Sequence, residues 1–94
     1  MWTKDPSHEF EESLRNVNRI LEINPVSAEG ATERGHLELI WGRYRTKVSD
    51  RQGALDHYGK AVRYFEEAIK INGSLSGPLR EWLREARRGM LGAF

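Results

Sequence analysis

Residues 61–73 read Ala61-Val62-Arg63-Tyr64-Phe65-Glu66-Glu67-Ala68-Ile69-Lys70-Ile71-Asn72-Gly73, and this stretch decides the fold. Its apolar residues recur at spacings of three and four, the period of a helix. Two stripes can be traced through it and back to residue 54. Leu55, Tyr58, Val62, Phe65 and Ile69 form one; Ala54, Ala61, Ala68 and Ile71 form the other. A helix with two apolar faces is expected to be packed on both sides. The span from Asp50 to Ile71 is therefore read as the central helix of an all-α domain.

Outward from it, chain breakers at Pro6, Asn24-Pro25, Ser49-Asp50, Asn72-Gly73 and Gly77-Pro78 mark off three further helices. The first is expected over Ser7–Ile23, with Ser7 as N-cap and Glu9, Glu11 and Glu12 near its positive end. Its apolar stripe is Phe10, Leu14, Val17 and Leu21, and its remaining surface is polar. The second is expected over Ser27–Val48, capped by Ser27. Small residues Ala28, Ala31 and Gly35 would allow a close approach to the first helix, and Leu37, Ile40, Trp41, Tyr44 and Val48 form a wide apolar face. The fourth is expected over Pro78–Leu91, with proline suited to the first helical position and Leu79, Trp82, Leu83 and Ala86 facing inward. Gly42 and Gly59 lie at similar distances from the turn near Asp50, so they are expected to face each other across the hairpin. Residues 1–6 are read as a disordered tail, with no role assigned to Trp2 beyond a staple.

Ninety-four residues make one domain. Fifteen basic against fourteen acidic side chains leave a net charge of +1, which argues against nucleic acid despite the interleaved Arg43-Tyr44-Arg45. No segment has the apolar length of a membrane span. The absence of cysteine removes thiolate chemistry and fits a reducing cytoplasm. His8, His36 and His57 have no helical pairing that would gather metal ligands and are read as surface histidines. There is no nucleophile elbow and no phosphate loop. No catalytic residue, metal or cofactor is assigned, and the chain is not expected to be an enzyme.

Ala61, Phe65, Ala68 and Gly73 follow the small–aromatic–small spacing of helix B in a tetratricopeptide repeat, with glycine where the family has proline. Ser13, Val17, Ile20 and Pro25 repeat it more weakly, and Gly35 stands where helix A prefers glycine. The chain thus resembles the tetratricopeptide family, as half a repeat, one full repeat and a closing helix. The resemblance implies a right-handed superhelical stack of antiparallel hairpins. Ser13 and Ala61 are 48 positions apart, against a repeat of about 34 residues. The surplus is worth about two extra turns on each helix of the hairpin. It implies an elongated tip from Trp41 to Leu55. Similar long hairpins occur in helical tails of larger bacterial proteins, so a fragment of a longer chain is an expectation.

The family's inward-facing positions map onto Thr32, His36, Leu39 and Ile40, with Arg43 one turn on, and onto Arg80, Arg84 and Arg87. Some members grip a peptide carboxylate with a lysine and an arginine spaced as Arg80 and Arg84 are. This sequence lacks the asparagines that complete that clamp; Thr32 and His36 stand in the matching region. The implied function is a protein-interaction scaffold taking an acidic or carboxylate-bearing peptide on the second and fourth helices. Two alternatives stay open. The arginines could form a solvated face, with Glu81 and Glu85 as i,i+4 partners, or the module could be a structural spacer or self-associating unit.

Overall fold

Three short polar side chains set the helix starts. Ser27 accepts a hydrogen bond from the Gly30 amide at 3.0 Å, Asp50 accepts from Gly53 at 2.9 Å, and Asn72 accepts from Ser74 at 3.2 Å. Each satisfies an amide that has no partner within its own helix. The structure, a computed structural model, describes residues 6–92. In them the chain forms α1 (Ser7–Ile23), α2 (Ala28–Lys47), α3 (Arg51–Ile71), a 3-10 turn (Gly73–Ser76) and α4 (Arg80–Met90), with no strand among the described residues. The expected tail is outside this range except for Pro6, and so is Trp2.

Two helix starts differ from expectation. The Pro6 carbonyl accepts from the Phe10 amide at 2.9 Å, so Pro6 occupies the cap position and Ser7 is already helical. The 3-10 turn after Asn72 takes up Gly73–Ser76, and α4 starts at Arg80, two residues after Pro78. Between α2 and α3 the chain reverses with Ser49 at φ +62°. The Asp50 amide donates to the Arg45 carbonyl at 2.8 Å and Ser49 to Thr46 at 3.1 Å. This is the left-handed helix ending that more often uses glycine.

Helix α3 is central, as its two stripes require. Ala54, Tyr58, Ala61, Val62, Phe65 and Ala68 are all buried along it. They join Ala31 and Leu39 of α2 with Leu79, Leu83 and Ala86 at α4 in one core. Helices α2 and α4 lie side by side and run in the same direction, both antiparallel to α3. Gly35 sits over the Phe65 ring and Gly42 over the Tyr58 ring; a Cβ at Gly35 would stand 2.7 Å from that ring. Tyr58 is gripped from the other side by Gly89 of α4.

Gly42 therefore does not face Gly59. Gly59 is one residue further along α3, turned about 100° around the axis, and faces Met90 of α4, whose side chain lies 3.8 Å from where a Cβ at Gly59 would be. Gly35 likewise serves the contact with α3. Gly30 is the glycine that lets α1 approach, with Leu21 and Ile20 3.0 and 3.1 Å from where its Cβ would be.

Helices α2 and α3 are 20 and 21 residues long, which is about 30 Å each, so the hairpin is long as expected. Its far half is nonetheless flanked. Phe10 of α1 stacks on Trp41 with ring centres 4.0 Å apart, and Gly89 reaches Tyr58. No helix among the described residues is long and apolar enough to cross a membrane.

Candidate binding face

Helix α2 carries two polar junctions, one against α3 and one against α4. The first centres on Glu38, which is 1% exposed. Its Oε1 lies 2.6 Å from His57 Nδ1, and its Oε2 accepts from Arg34 Nε at 3.0 Å. Arg34 also donates to Asn18 Oδ1 on α1 at 2.8 Å and lies over the Tyr64 ring. Burial pushes the Glu38 carboxyl up, but the hydrogen bonds and charges of His57 and Arg34 outweigh it and hold the group below its ordinary value. The junction thus ties α1, α2 and α3 together with no solvent-facing carboxylate left over. Its job is structural: every buried side-chain polar atom in the described residues has a partner.

The second junction is half open to solvent. Arg43 of α2 donates from Nε to Glu85 Oε2 at 2.6 Å and from Nη2 to Glu85 Oε1 at 2.7 Å. The two side chains are 47% and 39% exposed. About two helical turns away along α2, the His36 ring lies flat on Trp82 of α4, with centres 4.1 Å apart and planes 9° from parallel. Burial, then the charge of Arg43, lowers the His36 pKa, so at neutral pH this is an uncharged ring stacked on an indole.

The residues expected to line a binding face fall into four groups. His36, Ile40 and Arg43 are at the surface of α2, with Ile40 43% exposed. Arg80, Arg84 and Arg87 are exposed on α4. Thr32 is half-buried and spends its hydroxyl on the Ala28 carbonyl at 2.8 Å. Leu39 does not belong to the face: it is fully buried and supports α2 from beneath, because its position points between α3 and α4.

The arginine ladder is also less free than its spacing implies. Arg84 meets Glu81 at 3.4 Å, three residues back, and Arg87 meets Glu66 of α3 at 3.0 Å. The expected i,i+4 pairing does not occur, because neither Glu81 nor Glu85 stands four residues from an arginine of α4, and Glu85 reaches across to α2. Arg80 makes no ion pair among the described residues. Trp82 borders a shallow depression with Glu81, Arg84, Glu85 and Arg88.

The reading of His57 as a surface residue is corrected. It is half-buried, edge-on to Phe10 and Trp41, because Glu38 draws it in. The clue was available in the spacing of Ala31, Gly35, Glu38 and Gly42: a lone carboxylate inside a stripe of small residues needs a buried partner. Among the described residues no three acidic or histidine side chains gather as a metal site would need.

A second surface is apolar. Phe10, Leu37, Ile40, Trp41 and Tyr44 line a groove between α1 and α2. At the other end of α1, Ile20, Ile23 and Val26 are 39%, 81% and 68% exposed. No protein-family model, curated protein or solved structure matches the chain.

Proposed function

We propose that this chain is a protein-interaction module of tetratricopeptide-like design that receives an acidic or carboxylate-bearing peptide on the face shared by α2 and α4. The observation that carries the reading is the His36–Trp82 stack set beside the Arg43 guanidinium. A flat aromatic centre bordered by arginines is the composition of a binding hot spot. Arg80 and Arg84 lie on the same helix as Trp82, and planar guanidinium groups donate two parallel hydrogen bonds to a carboxylate. The side-by-side course of α2 and α4, together with the repeat spacing of Ala61, Phe65 and Ala68, supports the family reading. Catalysis and cofactors have no place in it.

The test is a calorimetric titration of the protein with hexaglutamate bearing a free carboxyl end, and with amidated hexaglutamine. Binding of the first, weakening with salt, and none of the second is the expected result. Equal affinity for both, or none for either, overturns the proposal.

The exposed Ile20, Ile23 and Val26 favour a second reading, self-association through the α1 flank. Sedimentation would show mass rising with concentration if this holds; a monomer at every concentration rejects it.

A further inference from the structure

The carboxylate that a ligand would bring to Arg43 is already there. Glu85 meets this guanidinium side-on, with one oxygen on Nε at 2.6 Å and the other on Nη2 at 2.7 Å. Those are the two donors an incoming carboxylate would use. The pair also crosses from one helix to the other, so it sits at the seam of the proposed face and not to one side of it.

We propose that Glu85 is an internal competitor for Arg43, and that an acidic ligand is taken up by exchange: the ligand's carboxylate replaces Glu85 on the guanidinium. The proposal rests on the acidic-peptide reading above and adds to it the residue that sets the affinity.

Three observations carry it. The first is access. Glu38, the glutamate held by Arg34 of α2, has a side chain 2% exposed and cannot be reached. Glu85 and Arg43 are 39% and 47% exposed, so water and ligand can both approach. The second is strength. Solvent-exposed ion pairs contribute little to stability; the two-point geometry puts this one at the upper end of that range, and releasing Glu85 still costs far less than opening a buried pair. The third is what surrounds the released group. Arg84 and Arg88 border the same depression as Glu85, and can receive its carboxylate when Arg43 turns to the ligand. The hydrogen bond from Arg43 lowers the Glu85 pKa against the effect of burial, so the competitor is charged throughout the neutral range.

The test compares hexaglutamate binding to the wild-type protein, Glu85→Gln, the double variant Arg43→Ala/Glu85→Gln, and Glu67→Gln. The last removes an equal charge from an exposed position of α3. Glu85→Gln is expected to bind about three- to fivefold more tightly than wild type, the equivalent of one exposed ion pair. The double variant should lose that gain, and Glu67→Gln should show less than half of it. Tightening by Glu67→Gln as large as by Glu85→Gln reduces the effect to net charge and overturns the exchange. Unchanged or weaker binding by Glu85→Gln, with the wild type still binding, overturns the exchange alone. Absence of binding in all four proteins overturns the acidic-peptide reading and the exchange with it.

Discussion

Arg34 and Arg43 stand nine positions apart on one helix, each holds a glutamate, and the two pairs do different work. Arg34, Glu38 and His57 are packed away, and Glu38 spends both oxygens inside the protein. Arg43 and Glu85 make a contact of 2.6 Å, as short as that between His57 and Glu38, yet face water. Bond length does not separate a structural pair from an exchangeable one. What separates them is the cost of the broken state. Opening the first strands a carboxylate in the core, which is expensive. Opening the second returns two charges to solvent, which is not.

This contrast can be broken at either end. The largest effect is expected from Glu38→Ala, which leaves Arg34 and His57 without their shared partner. Its cost should be about 3 kcal/mol, the lower range for removing one member of a buried pair, since both partners retain some exposure. In a domain of this size that lowers the melting temperature by roughly 12–20 °C. A loss under about 1 kcal/mol in denaturant unfolding would place the two junctions in one class.

Next comes Gly35→Ala, which tests how closely α2 is pressed on α3 beside Glu38. The new Cβ would meet the Phe65 ring, and Phe65 is fully buried with nowhere to turn. Destabilisation of about 2 kcal/mol is expected from such overpacking. Gly59→Ala has room beside Met90 and should stabilise by up to about 1 kcal/mol through helix propensity. The opposite signs can be read from one pair of thermal melts.

Acid should produce a smaller, graded loss. The Glu38 carboxyl is held below the ordinary 4.5 in the folded protein. Its contribution is therefore complete above about pH 4.5 and declines as the pH falls through the lower, folded value. Wild type should lose stability in that window, and Glu38→Gln should lose less. Parallel loss in both would mean that other carboxylates dominate acid unfolding.

The smallest effect is reserved for the open pair. Arg43→Ala is expected to change stability by no more than about 1 kcal/mol, and a loss comparable to that of Glu38→Ala would make Arg43 a structural residue.

Much of the fold was legible because local chemistry speaks for helices. Ser27 announces one helix start through its side-chain oxygen, the break at Ser49-Asp50 marks another, and the double stripe on residues 54–71 marks the central helix. The glycines show where such reading stops. Gly42 was placed at the right level of the hairpin, but a single step in register turns a residue about 100°, and it meets Tyr58 instead of Gly59. The candidate face shows the same limit more strongly. Spacing put Arg80, Arg84 and Arg87 on one helix, which they share. It could not say that Glu85 crosses to a residue 42 positions away, or that His57 would find Glu38 across 19. Periodicity describes one helix at a time, while these contacts depend on how two helices are rotated against each other. Leu39 was misplaced for the same reason.

The most direct test of the division between the two junctions is an amide-shift map of the wild-type protein during titration with hexaglutamate. The account predicts shifts at His36, Ile40, Arg43, Arg80, Arg84 and Glu85, with Glu38 and His57 unmoved. Shifts centred on Glu38 and His57, or on Ile20, Ile23 and Val26 of the α1 flank, would contradict it.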